Sequence, residues 1–309
     1  MSKVSVIIPL YNSAPHLPSL FENIARQSIA AELEFVFIDD HGCDDSIAVA
    51  RTLAAGSGLR CIFGATEANS GPGGARNKGL ALAGGEYVAF LDADDALDPL
   101  FCEKLYGAAD ESNADLACCN ILKIDGSRRE IWANPQVENG PLCEAGRENF
   151  LRRYKSYFTS FIYRRGFIAE KGIAFPQTRS AEDSCFLAEA LLCAGSIAQV
   201  CEPLYHYLYR AGSLSTAADA GRYRERLASF DSLLQFARGK GLYSGRTAEL
   251  LDYIYIKKAL ITGVRDCPAA RSEILSHCTA QVPAWRRSRF LRRDPKAIAA
   301  IAAIRLHLL

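Results

Sequence analysis

Aspartates stand directly behind two apolar segments of this chain. They are Asp39 and Asp40 behind residues 33–38, and Asp92, Asp94 and Asp95 behind residues 87–91. Carboxylates crowded at one edge of an apolar sheet repel one another unless a cation or hydrogen-bond donors compensate their charge. Oxygen ligands of this kind suit Mg²⁺ or Mn²⁺, which complete their coordination with water and substrate phosphates. The second group therefore predicts a site for a divalent metal and a diphosphate.

Helix capping is the alternative role for part of this group. Asp95 or Asp98 can cap a helix that begins at Pro99, because a carboxylate there accepts bonds from free backbone amides. We expect capping to explain Asp98, whereas Asp92 and Asp94 are expected to act in the metal and diphosphate site. Both roles stay open for Asp95.

A glycine-rich segment, residues 69–79, reads Asn-Ser-Gly-Pro-Gly-Gly-Ala-Arg-Asn-Lys-Gly. It is not a dinucleotide fingerprint, because Arg76 stands where the third glycine is required. It is not a P-loop either, since Leu80 and Ala81 follow Gly79 in place of Lys and Ser or Thr. We expect a helix start whose free amides and Arg76 approach an anion, with a plain surface turn as the alternative.

The apolar runs around these motifs predict the elements that position them. Short segments rich in β-forming residues stand at 4–8, 33–38, 59–63 and 87–91. Helices are expected between them, with Ser13 as the first N-cap, then behind Asp45, then over about 74–82. This alternation predicts an α/β fold, a mostly parallel twisted sheet flanked by helices. Ligands of such sheets bind beyond the carboxyl ends of the strands.

The rest of the chain has a different pattern. Strand-like pieces at 116–124 and 157–163 precede a helix over 184–193 and an aromatic segment, 205–210. From about Arg222 onward the spacing is helical. Its apolar face is formed by Leu227, Phe230, Leu233, Leu234 and Ala237, with Leu250, Ile254 and Leu260 roughly in phase later.

Composition narrows the classes of function. The chain has 309 residues, 49% of them hydrophobic, and a formal net charge of +1; it is globular and long enough for about two domains. Residues 285–309 hold seven basic side chains and one acidic one. The remainder is mildly acidic, which argues against a nucleic-acid partner.

The sequence has no recognisable signal sequence and no cysteine spacing typical of zinc sites, from which we expect a cytoplasmic protein. Residues 1–10 are too short for a signal sequence, and no run approaches the roughly 20 apolar residues of a transmembrane helix. We therefore expect any membrane contact to be peripheral. The eleven cysteines include no CxxC pair, which excludes the usual zinc sites and predicts reduced, mostly buried thiols.

Four motifs in order resemble those of the family 2 glycosyltransferases of the GT-A fold. They stand at 4–12, 37–46, 74–79 and 85–95. The resemblance runs in register over residues 3 to about 120 and weakens to isolated motifs from 121 to 215.

The resemblance implies a nucleotide-sugar donor, usually a UDP-sugar, at the carboxyl edge of the sheet. The turn from Pro9 to Tyr11 would frame the base, with Tyr11 stacked on it, and Asp40 would accept the hydrogen of base N3. Asp94 would contact the ribose or the metal, and Asp95 the metal, a Mn²⁺ or Mg²⁺ ion. Which aspartate ligates directly stays open. The other residues placed at the donor are Asn12, Asn69, Gly74, Arg76, Asn77 and Asp92.

A further motif, Glu182-Asp183-Ser184-Cys185-Phe186, resembles the family's Glu-Asp-x-x-Phe. The resemblance implies that Asp183 is the general base of an inverting reaction, with Glu182 as second choice. The alternative is that Asp183 caps a helix that begins at Ser184.

The aromatic segment and the residues behind it, Tyr209-Arg210 and Ser213-Leu214-Ser215, resemble a stretch that often follows that motif. Arg210 or His206 could then reach the diphosphate and stabilise its departing charge. Alternatively, Tyr205, Tyr207 and Tyr209 simply alternate along a half-buried strand.

The basic end of the chain has two interpretations. Asp294 and Pro295 predict a helix start, and Ile298, Ile301, Ile304 and Leu308 mark one apolar face. That face could lie on an anionic membrane, where lipid-linked acceptors reside. It could equally dock on the protein itself or on the second copy of a homodimer.

Together these features predict a metal-dependent, inverting hexosyl- or N-acetylhexosaminyltransferase of bacterial surface-polysaccharide synthesis. Its acceptor would be a saccharide or a lipid-linked saccharide. We expect a nucleotide-sugar-binding half over 1–110, an acceptor-binding half over 111–215 and a helical C-terminal extension over 216–309. A nucleotidyltransferase would want a basic, glycine-rich turn in place of residues 10–13. A non-catalytic nucleotide-sugar-binding or scaffolding subunit would not require Asp183.

Overall fold

The computed structural model describes residues 2–153, 157–210 and 221–306. The described strands join into one sheet. They are β1 Val4–Leu10, β2 Leu33–Asp39, β3 Cys61–Ala65, β4 Tyr87–Phe90, β5 Ala96–Leu97, β6 Leu116–Asp125, β7 Arg128–Trp132, β8 Gly140–Pro141, β9 Phe161–Arg164 and β10 Ser196–Leu208. Their order is β3-β2-β1-β4-β9-β6-β10-β5, with β7 on β6 and β8 on β10.

Helices cover both faces of this sheet. They are α1 Leu17–Ala25, α2 Ser46–Ser57, α3 Gly71–Leu82, α4 Phe101–Glu111, α5 Glu144–Arg153, α6 Arg165–Lys171, α7 Glu182–Cys193, α8 Arg222–Gly239, α9 Gly245–Tyr255, α10 Thr262–Asp266, α11 Arg271–Gln281, α12 Arg289–Arg292 and α13 Pro295–Arg305. A π-helical segment, Ile256–Ile261, joins α9 to α10.

The first half of the sheet confirms the expected alternation of strands and helices. β3, β2, β1 and β4 pair in parallel, so their carboxyl ends meet at one edge. β9 then runs antiparallel to both β4 and β6, while β10 runs parallel to β6. β10 therefore ends near β5, which lies just behind the Asp92 to Asp95 turn.

Two of the three helix starts predicted between the first four strands are wrong. Ser13 precedes a single 3-10 turn, Ala14–His16, and α1 begins only at Leu17. The Ser13 hydroxyl is bonded to the backbone of Tyr11, so it does not cap. The glycine-rich helix begins at Gly71, three residues before the predicted start.

The apolar core lies in two layers, one on each face of the sheet. Alternate β1 residues point to opposite sides: Ile7 joins the layer under α3 and α7, whereas Val6 and Ile8 join the layer under α1, α2 and α4. The expected apolar face of the C-terminal helices is buried in the first layer together with α7. These helices therefore form part of the support beneath the Glu182-Asp183 motif.

Helix α3 packs directly on β1 at Gly79. A Cβ atom there would stand 2.3 Å from Cγ2 of Ile7, which is fully buried. We expect Gly79→Ala to lower the free energy of unfolding, since overpacking costs about 1–3 kcal/mol and alanine regains at most about 1 kcal/mol of helix propensity.

The matched control for this substitution is Gly107→Ala in the middle of α4. A Cβ at Gly107 meets no atom within 4 Å, so only the propensity gain applies and the melting temperature should rise. Thermal unfolding followed by circular dichroism compares the two. If Gly79→Ala melted at or above the wild-type temperature, close packing of α3 on β1 would be contradicted.

The C-terminal helix α13 begins as the sequence predicts. Asp294 Oδ1 accepts a bond from the Ala297 amide at 3.0 Å, and Pro295 is the first helical residue. The buried face, however, is formed by Ala297, Ile301 and Ile304, while Ile298 is 47% exposed. The predicted face is thus wrong at Ile298, because a spacing of four and three residues selects Ala297 instead. Leu308 lies outside the described residues.

The structure also shows how far the cysteines are buried and whether any described helix could cross a membrane. All eleven cysteines are free, and Cys102, Cys118, Cys119, Cys185 and Cys278 are buried. Cys43, Cys143 and Cys201 are exposed, so fewer thiols are buried than expected. Among the residues described, no helix is both long and apolar enough to cross a bilayer.

Candidate active site

The loops behind β1 and β2 are joined at the carboxyl edge of the sheet. Asn12 has a positive φ of 50°, and its Oδ1 accepts a bond from the Cys43 amide at 2.7 Å. A Cβ on Gly42 would stand 2.6 Å from the Asn12 nitrogen, so the close approach requires glycine. Tyr11 is left 42% exposed at this edge, next to Pro9 in β1.

Asp40 joins the loops behind β2 and β3. Its carboxylate is only 2% exposed, and Oδ1 accepts bonds from the Ser70 amide at 2.8 Å and from Thr66 Oγ1 at 2.9 Å. Both of these bonds fall on one oxygen of the carboxylate, and contact of Asp40 with a nucleotide base stays a prediction.

The glycine-rich segment forms the start of α3 and packs against the segment before α7. The surface-turn alternative is therefore wrong. Asn69 Oδ1 accepts from Arg179 at 2.6 Å, and Asn77 exchanges two bonds with the backbone of Phe175. A Cβ on Gly74 would stand 2.4 Å from Ser70 Cβ. These polar groups hold the two segments together, and their contact with a donor stays a prediction.

Arg76 does not lie where the sequence predicts. It is 5% exposed, and its guanidinium contacts Asp92 Oδ1 at 2.8 Å and Glu182 Oε1 at 3.4 Å. The reason is the face of α3 that carries it: Gly73 and Gly79, one turn to either side, are also buried. The expectation that Arg76 is free to approach an anion is corrected, since the guanidinium is a buried partner of carboxylates.

The aspartates behind β4 each have a partner within the chain. Asp92 pairs with Arg76. Asp94 Oδ2 lies 3.2 Å from Arg210 Nη1, which also donates to the Asp94 carbonyl at 2.9 Å. Arginines and hydrogen-bond donors therefore compensate part of the negative charge for which the sequence suggests a metal.

Asp95 is not a helix cap. Its two oxygens accept bonds from the Tyr205 hydroxyl at 2.7 Å and from the Leu208 amide at 2.9 Å, whereas α4 begins six residues later, at Phe101. Asp98 is not the N-cap either, because the helix has Leu100 at that position; Asp98 Oδ1 accepts from the Leu100 amide at 2.9 Å, in the turn just before α4. The Asp95 carboxylate therefore joins the Asp92 to Asp95 turn to the end of β10.

The carboxylate oxygens of the Asp92 to Asp95 turn are ligands that suit a divalent cation. Burial and the Asp92 charge raise the pKa of Asp94, which Arg210 partly offsets, and the same two causes raise the pKa of Asp95 well above its usual range. A bound cation would relieve this cost, and carboxylate oxygens are what Mg²⁺ and Mn²⁺ prefer. Among the described residues no three His, Cys, Asp or Glu side chains are arranged as a complete metal site. Further ligands would have to come from substrate and water.

The end of β10 brings Arg210 to the aspartates but not His206. Tyr205 bonds Asp95, and Tyr207 stacks on Trp132 with ring centroids 5.7 Å apart. His206 alternates with these two tyrosines along the strand, so its side chain points from the opposite face of the sheet. Burial lowers the pKa of His206. The half-buried alternating strand is thus confirmed for Tyr205 and Tyr207. The Ser213 to Ser215 motif lies outside the described residues.

Asp183 is the second residue of α7, so the capping alternative is wrong. The N-cap is Ala181, with φ of 66°, and Asp183 Oδ1 accepts from the Ser184 amide at 2.6 Å. Burial raises the pKa of Asp183 more than the Ser184 amide, Arg76 and Lys258 lower it. Burial and the Asp183 charge also raise the pKa of Glu182. A carboxylate with a raised pKa is suited to accept a proton near neutral pH.

Sequence reasoning missed Lys258. It lies on the π-helical segment, and its charge lowers the pKa of Asp183, while burial lowers its own pKa. The neighbouring Lys257 turns to Asp294 at 2.9 Å. Two lysines inside the apolar run 254–261 were the available signal, because such residues need a specific partner when partly buried.

Most residues of this site lie in a part of the chain that matches a known protein family. The family described as glycosyl transferase family 2 matches residues 5–171, more than half of the chain. This chain belongs to glycosyl transferase family 2. The family 2 match includes the carboxyl ends of β1, β2 and β4 and the Asp92 to Asp95 turn, whereas Asp183 and Arg210 lie beyond it.

Curated relatives agree with family 2 membership. EpsH of Bacillus subtilis, which bears the name putative glycosyltransferase, is 26% identical over 80% of this chain and 69% of its own length. The succinoglycan biosynthesis protein ExoO of Rhizobium meliloti is 29% identical over 91% of this chain and 85% of its own. Other relatives are matched over less than two thirds of their length.

Solved structures show the same fold. Staphylococcus aureus TarS residues 1–349, in complex with UDP, has a TM-score of 0.63 at 21% identity, covering 94% of this chain and 91% of that one. The mannosyltransferase PcManGT of Pyrobaculum calidifontis, in complex with GDP-Man and Mn²⁺, has a TM-score of 0.55 at 19% identity, covering 99% and 86%. The expected GT-A fold and glycosyltransferase family are confirmed. The roles of the individual residues stay predictions.

Proposed function

We propose that this chain transfers one sugar from a UDP-sugar to a hydroxyl of a saccharide acceptor, with inversion, in bacterial surface-polysaccharide synthesis. The observation that carries the proposal is the contact of Arg76 with both Asp92 and Glu182. It holds the predicted donor motif and the predicted base motif next to each other, although 90 positions separate Asp92 from Glu182. UDP in TarS and the role of ExoO in succinoglycan biosynthesis support the donor and the pathway class.

The donor would bind along the edge from Tyr11 to Asp94. Tyr11 stacks on the base and Asp40 Oδ2 accepts from base N3, a pairing that suits uracil because its N3 carries a hydrogen. Asn12, Asn69, Gly74 and Asn77 shape the loops around the diphosphate. A Mn²⁺ or Mg²⁺ ion held by Asp94 and Asp95 would neutralise charge on the leaving diphosphate.

Asp183 would act as the general base. It takes the proton of the acceptor hydroxyl while that oxygen forms a bond to the anomeric carbon and the bond from that carbon to the diphosphate breaks. Arg210, which lies at Asp94, can shift to the diphosphate as negative charge develops there. UDP leaves with the electron pair of the broken bond.

The deciding experiment measures UDP release from a panel of UDP-sugars with Mn²⁺, with and without saccharide acceptors. We expect slow hydrolysis of one donor without acceptor and faster release with a matching acceptor. A protein that binds Mn²⁺-UDP but releases no UDP from any donor would favour the non-catalytic subunit.

The pH dependence of turnover tests the base. Because the pKa of Asp183 is raised, Asp183 stays protonated to a higher pH than an ordinary carboxyl, and kcat should fall on acidification while most surface carboxylates are still ionised. The pKa of Asp94 is raised as well, so UDP affinity is measured over the same range. A kcat that stayed constant down to about pH 4, the usual carboxyl range, would contradict a buried carboxylate base.

The basic C-terminal end is proposed to contact an anionic surface on the cytoplasmic side of the membrane. Its apolar face is used within the chain, but Arg286, Arg287, Arg292 and Arg293 are exposed. Such side chains attract acidic lipids. We expect the protein to sediment with phosphatidylglycerol vesicles at low salt. If it does not, the basic end docks within the chain or against a second copy instead.

A further inference from the structure

We infer that Arg76 is a positioning residue that couples the donor-side Asp92 to the base-side carboxylates Glu182 and Asp183. This inference rests on the proposed function and deepens it. It assigns to Arg76 the task of keeping the base ionised and α7 in register with the donor turn, rather than that of binding the donor.

Aromatic rings and carboxylates surround the Arg76 guanidinium. Its Cζ lies over the ring of Phe158, 4.6 Å from the centroid, and over that of Phe175, 5.5 Å from the centroid. Nη2 contacts Asp92 at 2.8 Å and Nη1 contacts Glu182 at 3.4 Å. Within the described residues Nε is buried without a hydrogen-bond partner. The side chain is therefore held by two rings and two carboxylates from different parts of the chain.

The positive charge of Arg76 affects the ionisation of the carboxylates beside it. A buried carboxylate that loses its cationic partner takes up a proton or moves toward water. The charged and titratable groups that face Glu182 and Asp183 are Arg76, Asp92, Lys258, Tyr163 and Cys185. Arg76 contacts a carboxylate of each motif, Asp92 in one and Glu182 in the other. Its removal would leave Asp183 protonated at a pH at which the wild-type base is ionised.

Helix α7 has a second anchor, which provides a matched control. Arg147 donates to the carbonyls of Leu191 at 2.6 Å, Leu192 at 2.7 Å and Ala194 at 2.8 Å, at the end of α7 away from Asp183. Arg147→Met removes a partly buried arginine and loosens the same helix, but it leaves the charges around Asp183 unchanged. A purely structural role for Arg76 predicts that the two substitutions act alike.

The experiment compares Arg76→Met, Arg76→Lys, Glu182→Gln and Arg147→Met with the wild type. Calorimetry gives Mn²⁺-UDP affinity, and steady-state transfer gives kcat, KM and the pH profile of kcat. We expect Arg76→Met to lower kcat at neutral pH by at least about tenfold, a part of the usual effect of a general base, and to move the acid limb to higher pH. Arg76→Lys keeps the charge and should recover part of kcat.

Glu182→Gln should leave the acid limb close to that of the wild type, because burial and the Asp183 charge raise the pKa of Glu182 to about 7 and glutamine resembles its protonated form. Arg76→Gln, which also removes the charge but keeps a polar group, carries the test if Arg76→Met does not fold. Arg147→Met should lower the melting temperature with kcat and the acid limb unchanged.

Three results would overturn the inference: an unchanged acid limb in the variant that removes the Arg76 charge, an acid limb in Glu182→Gln that moves as far as in that variant, or equal kcat losses in that variant and Arg147→Met. A wild-type protein without transfer activity would instead refute the proposed function, so the two failures are distinguishable.

Discussion

Asp183→Asn is expected to lower kcat by roughly 10²-fold or more, the usual contribution of a general base, while Mn²⁺-UDP affinity stays close to that of the wild type. The amide has nearly the same shape and can still accept the Ser184 amide bond that Asp183 Oδ1 accepts. It cannot take a proton from the acceptor hydroxyl. The loss should therefore appear in kcat, and calorimetry should show an intact donor site.

The matched control is Glu189→Gln on the same helix. Glu189 is a buried carboxyl two turns beyond Asp183, and burial raises its pKa to about 8. It is therefore largely protonated at pH 7, and glutamine resembles the form it already has. We expect nearly full activity from this variant. Turnover retained in Asp183→Asn would show that another group is the base and would direct attention to Glu182.

Asp94→Ala is expected to abolish the part of UDP affinity that depends on Mn²⁺. In the wild type we expect Mn²⁺ to strengthen UDP binding at least about tenfold, or 1.4 kcal/mol, because the ion joins this turn to the diphosphate. The substitution also frees Arg210 from its contact with Asp94, which could strengthen metal-independent binding. The informative quantity is therefore the ratio of UDP affinities with and without Mn²⁺.

Asp98→Ala provides the comparison for this measurement. Asp98 lies on the same stretch of chain, but its side chain bonds the Leu100 amide at the start of α4. It should change stability slightly and leave the Mn²⁺ ratio unchanged. If Asp94→Ala kept the wild-type ratio, the assignment of Asp94 to the metal would have to be abandoned, and Asp92 and Asp95 would be tested in turn.

Local patterns in the sequence were sufficient for the first half of the fold. The runs at 4–8, 33–38 and 87–91 became β1, β2 and β4 with shifts of a few residues, because buried strands and the helices between them have their own periodicity. The order of motifs along these strands also indicated the family. Asp294 was identified as a cap for a similar reason, since capping involves residues only three positions apart.

Partners distant in the chain were not accessible to the same reasoning. Asp95 bonds Tyr205, 110 positions away, and Arg76 contacts Glu182, 106 positions away. Whether Arg76 faces the solvent or the core depends on how closely Gly73 and Gly79 let α3 approach β1 and the segment before α7. The sequence therefore does not show that Arg76 and Arg210 compensate the charges of Asp92 and Asp94. It suggests only a metal as the compensating charge.

The amino-acid sequence thus determined which side chains stand at the strand ends and which chemistry they are suited to, because strand periodicity and motif spacing are local properties. Only the tertiary structure decided which charges neutralise one another and how Lys258 and Arg76 come to flank Asp183. These interactions join α3, the turn behind β4, α7 and the π-helical segment, and they exist only once both apolar layers have packed on the sheet.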